Sequence, residues 1–203
     1  MSGTVSSPSA GYFETLYQEA PFGYLVTDRD DVVTRVNTTL LDWVGVEAQR
    51  LIGVKEDVSA RSNPLLIGWG RDLDLRYTDD ETPWCGLFIA HCIAATLPHE
   101  SLPADPLGAQ KWRKFGTFVT PQLGAIMVFW REKETSWKGH VGLYAGEDET
   151  AFHILGGNQS DSVSIARIER RRFLEARWPA SIPIGVGSAM IVQEGAGLST
   201  NEA

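Results

Sequence analysis

The sequence predicts an α+β fold, with helices gathered in the first half of the chain and strands in the second. Three observations carry this expectation. An apolar run from Trp84 to Leu97 is long enough for a helix and stops at Pro98. From Phe115 to about Ile168 the chain turns to short β-rich segments separated by turn residues. Strands and helices do not alternate, so a parallel βαβ sheet is not expected.

The elements follow in order. Residues 1–11 are rich in Ser, Gly and Pro and are expected to be a disordered tail. In residues 12–45, the runs Phe22–Val26 and Val32–Asn37 flank an acidic turn and read as a hairpin. Thr38 and Thr39 then cap a helix-like stretch, Leu40–Val44, and the helical pattern continues from Val46 to Ile52. Lys55-Glu56-Asp57 opens a loop. Asn63-Pro64 combines a good N-cap with a proline suited to the first turn, and Leu65, Leu66, Trp69 and Leu73 give that helix an apolar face. Asp79 to Pro83 leads into the Trp84–Leu97 helix. Pro98, Pro103 and Pro106 make residues 98–110 a loop. After the strands, a short helix is expected around Arg171 to Glu175. The tail, 180–203, is rich in Gly, Ala and Ser; Ile182 to Val192 reads as an edge strand and the end as mobile. The main domain is therefore expected over residues 46–179.

Composition narrows the function classes. Of 203 residues 43% are hydrophobic, and seven are tryptophan, enough to build a substantial core. No apolar run approaches the ~20 residues of a membrane span, so no membrane-spanning segment is expected. The first residues have neither a basic nor an apolar signal-peptide region, which predicts a protein that is cytoplasmic as synthesised. Eighteen basic residues against 26 acidic ones give a net charge of -8, which argues against nucleic-acid binding. Arg167 with Arg170, Arg171 and Arg172 is interrupted by Glu169 and reads as a solvated face.

Two cysteines are too few for a disulfide framework. Cys85 opens its helix, where unpaired N–H groups and the helix dipole favour a thiolate and lower the thiol pKa. Cys92, seven residues on, lies in the helix interior and is expected to be a buried structural residue. Of four histidines, His140 follows a glycine and opens an apolar strand, suiting a ring that projects from a strand end into a cleft. By alternation His153 is opposite Phe152 and Ile154 and is expected to face solvent. His91 and Cys92 are adjacent and share no helical face, so no zinc-ligand spacing arises; no metal or cofactor is expected. His99 lies in a loop without a partner. Asn158, at the end of the strand after His140, returns beside it in an antiparallel pair, where an amide oxygen accepting Nδ1–H would hold the imidazole; Gln159 and Asp161 are the alternatives. The Cys85 backbone N–H is the natural oxyanion donor. Tyr77, Glu81 and Trp84 are the expected substrate contacts, with Glu81 and Thr82 also placed to cap the helix.

These motifs resemble a known family. Glu81-Thr82-Pro83-Trp84-Cys85 is similar to the nucleophile segment of the CHAP-type amidohydrolase/peptidases, relatives of the NlpC-type cysteine peptidases. Val128-Phe129-Trp130, Gly139-His140-Val141-Gly142-Leu143-Tyr144 and Leu155-Gly156-Gly157-Asn158-Gln159-Ser160 resemble that family's three central strands, and Arg61-Ser62-Asn63-Pro64 the opening of a phage-associated branch. Three places depart from it: Cys85-Gly86-Leu87 stands where Cys-Ser-Ala is commoner, Ala125 stands where Pro-x-x-Gly is usually followed by Asp, and Gly156-Gly157 precede Asn158 where many members carry an acidic residue. The resemblance covers roughly residues 46–179 and implies a papain-like fold, with N-terminal helices packed on an antiparallel sheet. It further implies a metal-independent, monomeric cysteine hydrolase of peptidoglycan peptide or amide bonds, of endolysin or wall-remodelling type. Cys85 would attack, His140 carry the proton and Asn158 orient it, with a holin, a secretion system or a phage particle delivering the protein to the wall. Residues 14–53 separately resemble the opening hairpin and helix of a PAS sensor domain, at half its length. The alternatives are a non-catalytic sensory or binding module on a degenerate peptidase fold, and a cytosolic thiol protease or amidase.

Overall fold

The computed structural model describes residues 25–27, 33–36, 44–57, 62–182, 184, 198–199 and 201. Strands β1 (Leu25–Thr27) and β2 (Val33–Val36) pair antiparallel as the expected hairpin, a two-stranded sheet of their own. The residue 1–11 tail, the Thr38-Thr39 cap and almost all of Ile182–Val192 lie outside the described residues.

Three helices follow: α1 (Val44–Arg50), α2 (Pro64–Asp72) and α3 (Cys85–Thr96). The boundary expected at residues 45/46 falls inside α1, which buries Val44 and Ala48 in the same apolar cluster as α3. Asn63 caps α2 as its sequence predicts: its side-chain oxygen accepts the Leu65 N–H at 2.9 Å, with Pro64 at the first position. A 3₁₀ turn, Ala109–Lys114, leads to the strands β3 (Thr117–Val119), β4 (Ile126–Trp130), β5 (Gly139–Glu147), β6 (Ala151–Gly156), β7 (Ser164–Glu169) and β8 (Phe173–Trp178). They form one antiparallel sheet in the order β3-β8-β4-β5-β6-β7. The α+β expectation therefore holds.

Strand alternation divides the core between the two faces of this sheet. Ile126, Val128, Val141, Leu143 and Leu155 pack with the helices. Met127, Phe129, Tyr144, Phe152, Ile154, Ile168, Ala176 and Trp178 form a second apolar cluster. The cysteine helix is thus held by burial along nearly its whole length, from Cys85 through Ile93 except His91, rather than by a side-chain cap, which it lacks. Among the described residues, Ser199 N–H donates to the Arg167 carbonyl (2.8 Å) and Ser160 N–H to the Asn201 carbonyl (2.9 Å), tying part of the C-terminal segment to the sheet.

Three expectations are corrected. The helix expected around Arg171–Glu175 is a 3₁₀ turn, Arg170–Arg172, followed by β8, which lies between β3 and β4. His153 is buried rather than solvent-facing, because β6 is covered on both faces, and its Nε2 lies 2.6 Å from Asp148 Oδ2. The arginine run is not a simple solvated face. Arg167 bonds the Asp148 carboxylate from Nε at 2.8 Å, Arg170 sits over the Phe152 ring and pairs with Glu147, and Arg172 donates to the Trp130 carbonyl.

The Asp148 turn gives a pH-dependent prediction. The Arg167 guanidinium holds the Asp148 carboxyl well below the usual carboxylate range; burial opposes this, and His153 and the Thr150 N–H and hydroxyl reinforce it. A depressed folded pKa contributes stability that is present above the unfolded value, about 4, and is lost as pH falls toward the folded one. Asp148→Asn should cost about 2 kcal/mol at pH 7, less than a deep ion pair because this turn lies at the rim of the sheet. In denaturant titrations the gap to the parent should narrow below about pH 4; an unchanged gap down to pH 3 would contradict the role given to this carboxylate.

Candidate functional site

The site forms where the start of α3 meets the start of β5. The α3 N-terminus leaves its first N–H groups without intrahelical partners, and these face Cys85. Burial pushes the Cys85 thiol above its ordinary value of 9.0. The backbone N–H groups of Val141, Gly86 and Cys85 oppose this rise, as does the positive charge of Arg131. The sequence argument from the helix start therefore captures an effect that is present, but desolvation outweighs it. At neutral pH Cys85 is a thiol, 2% exposed. One of those N–H groups belongs to Val141, the residue after His140 on β5, so the thiol lies near the start of that strand.

His140 is fully buried, opposite Phe129 in the β4–β5 register. Its Nε2 lies 3.0 Å from Gln159 Oε1. The Gln159 amide nitrogen donates to the carbonyls of Ile154 (3.2 Å) and Ser164, so the amide oxygen is the end that faces the ring. A carbonyl oxygen only accepts, so Nε2 carries a proton, and in the neutral ring the basic nitrogen is then Nδ1. Space is made for this contact by Gly156, where a Cβ would sit 2.9 Å from Gln159 Oε1 and 3.0 Å from His140 Nε2.

The amide that meets the imidazole is thus Gln159, one of the sequence alternatives, and the ring atom involved is Nε2 rather than Nδ1. Asn158 has another task. With its amide oriented to satisfy both neighbours, Oδ1 accepts the Trp84 N–H at 3.2 Å and Nδ2 donates to Glu56 Oε1 at 3.1 Å. It ties the β6 end to the residue preceding Cys85. Asp161, the other alternative, is exposed.

The expected substrate contacts separate. Trp84 is fully buried and donates its indole N–H to Glu56 Oε1 at 2.7 Å. Tyr77 is buried and donates its hydroxyl to the Thr82 carbonyl at 3.3 Å; burial, Asp80, Glu56 and Asp79 all push its pKa up. Both are framework in this structure, and Glu81 alone of the three is exposed. Thr82 caps the preceding turn rather than the helix, since its N–H and hydroxyl both donate to Asp79 Oδ1 at 3.0 and 2.9 Å.

Cys92 is fully buried, and desolvation with the charge of Glu47 raises its thiol well above the ordinary value. His91 stacks on Trp69 at 4.5 Å and pairs with Glu47, while His99 is exposed. Among the described residues no three His, Cys, Asp or Glu side chains are grouped so as to hold a metal ion, and no helix is long and apolar enough to cross a membrane.

Sequence reasoning missed two contributors. Glu56 bridges Trp84 and Asn158 from 28 residues upstream of Trp84. Burial raises its pKa, the Trp84 bond opposes that, and the charges of Asp161, Asp80 and Glu81 add to the rise. Arg131 sits just beyond β4 and biases the Cys85 sulfur electrostatically. A basic residue ending a strand in the hairpin that carries His140 was the only signal available.

Comparison with known proteins adds nothing to this geometry. The chain matches no protein-family model, no curated protein and no solved structure.

Proposed function

We propose that the protein is a cysteine-dependent hydrolase of amide bonds, papain-like in architecture and CHAP/NlpC-type in kind, acting on peptide or amide bonds of bacterial peptidoglycan. The observation that supports this reading is a buried cysteine at a helix start, near the start of the strand that carries His140, whose Nε2 faces the Gln159 amide oxygen. The wall substrate rests on the motif resemblance.

In the proposed cycle His140 Nδ1 takes the Cys85 proton and the sulfur attacks the carbonyl carbon. The Cys85 N–H at the helix start stabilises the oxyanion. The imidazolium gives its proton to the leaving amine as the C–N bond breaks. Water, deprotonated at Nδ1, then cleaves the thioester and frees the acid and the thiol. Because Cys85 and His140 are both buried, neighbouring side chains must move to admit substrate.

That same burial, with a thiol held protonated, favours a second reading, a non-catalytic module on a peptidase-like scaffold. Incubation with purified sacculi separates the two. The hydrolase should release peptide or glycopeptide fragments detectable by mass spectrometry, keep this activity in EDTA and lose it to iodoacetamide. No release by the intact protein would favour the non-catalytic module.

Gln159→Ala should reduce kcat about 100-fold, much of what a positioned acid–base group contributes. It should also destabilise the fold by about 1–3 kcal/mol through the unpaired Ile154 and Ser164 carbonyls. Asn158→Ala should weaken the fold while sparing kcat per folded molecule. If Asn158→Ala has the larger kcat loss, the assignment of the two amides is reversed.

A further inference from the structure

We propose that Trp137 is the glycan-binding residue of this site, stacking its indole on the apolar face of an N-acetylated sugar ring; this rests on the wall-hydrolase reading above. Trp137 is 84% exposed, more than any other large hydrophobic residue described. It lies in the β4–β5 loop three residues before His140, so its Cα is within ~11 Å of that histidine's even if the chain is fully extended. Arg131, at the other end of the loop, is near enough to act on the Cys85 sulfur.

The loop is braced rather than loose. The Gln110 amide nitrogen donates to the carbonyls of both Ser136 and Lys138, the two neighbours of Trp137. The Ser136 hydroxyl accepts the Lys138 N–H at 3.1 Å, Ser136 N–H reaches the Lys133 carbonyl at 2.9 Å, and Arg131 N–H reaches the Lys138 carbonyl at 3.2 Å. Lys138 also pairs with Glu132. Gly139 admits the brace, since a Cβ there would lie 2.9 Å from Gln110 Cγ. A loop whose backbone is braced in this way loses little freedom on binding.

The surroundings select the ligand class. Every other residue from 131 to 138 is polar or charged, so no loop neighbour extends Trp137 into an apolar patch of the kind a protein partner would cover. A cationic guest would suit an indole face, but Arg131, Lys133 and Lys138 outnumber Glu132 and Glu134 in this loop, so it offers a cation no net attraction. What fits is a ring with one apolar face and a rim of hydrogen-bonding groups: a pyranose, whose hydroxyl and amide groups meet the side chains around the indole.

The test compares Trp137→Ala and Trp137→Phe with the parent chain. Binding is measured in a Cys85→Ala background, to glycan strands stripped of their peptides and to phosphatidylglycerol vesicles. Turnover is measured with Cys85 intact, on sacculi and on a sugar-free stem peptide. Trp137→Ala should weaken glycan binding at least tenfold and lower the ratio of kcat/KM on sacculi to that on free peptide by a similar factor. Trp137→Phe should retain glycan binding within about threefold. Equal glycan binding by Trp137→Ala and the parent would overturn the proposal, as would an equal loss on sacculi and free peptide, or a loss confined to vesicles. If the intact protein cleaves no wall substrate, the hydrolase reading fails while the glycan-binding comparison still decides the role of Trp137.

Discussion

Replacing Cys85 with alanine should lower hydrolysis by about 10⁴-fold or more, as expected when the nucleophile of a concerted unit is removed. The side chain is small and buried, so the cavity should cost only about 1 kcal/mol, and the variant should remain folded with binding intact. Cys92→Ala is the control with a similar cavity. It removes a thiol that is buried in the middle of α3 and raised well above its ordinary pKa. It should lose a comparable amount of stability and keep most of its activity. Kinetics on released wall fragments, with circular dichroism as the check on folding, read both. A dead Cys92→Ala beside an active Cys85→Ala would reverse the assignment.

Gly86→Ala should be the most damaging small substitution in the cysteine helix. A Cβ at Gly86 would lie 2.2 Å from the Pro106 carbonyl oxygen and 2.6 Å from that of Leu107. Both obstacles are backbone, and Pro106 O already accepts the Trp112 indole N–H at 2.9 Å, so the loop cannot withdraw freely. Overpacking of this kind costs about 3 kcal/mol or more, equivalent to a fall of roughly 6–12 °C in Tm for a chain of this size. The departure from Cys-Ser-Ala noted in the sequence therefore has a local cause: the 106–107 backbone crosses the first turn of the cysteine helix too closely for any side chain. Gly86→Ser should fail in the same way. A melting temperature within 2 °C of the parent for either variant would show that the loop yields, and would remove this explanation.

Where local signals agree with tertiary packing, the sequence is a good guide. The α3 helix was expected from Trp84 to Leu97 and spans Cys85–Thr96, because its apolar run and Pro98 point the same way. Asn63-Pro64 specifies its own cap. The Arg171–Glu175 stretch reads as helix because Arg171, Arg172, Leu174 and Glu175 are good helix formers; pairing with β4 from Phe173 onward overrides that propensity. His153 was misplaced because alternation indicates an exposed side only when one face of a strand meets water, and every residue of β6 is buried. The choice between Asn158 and Gln159 was not legible from spacing. Asn158 adopts φ 56°, in the left-handed region, which re-aims the chain after β6. Residues beyond such a turn do not continue the strand's alternation, so only the folded chain distinguishes the amide that meets His140 from the one that meets Trp84. The thiol pKa was misjudged for a related reason: the helix start is visible in sequence, whereas the burial that outweighs it is a tertiary property.

The proposed chemistry places a covalent acyl group on one sulfur. Rapid acid quenching during turnover of a wall-peptide substrate, followed by peptide mapping in a mass spectrometer, detects that thioester directly. An acyl adduct confined to the peptide containing Cys85, and absent from Cys85→Ala, is the expected result. Turnover without any adduct and insensitive to loss of Cys85, or an adduct on Cys92 instead, would contradict it.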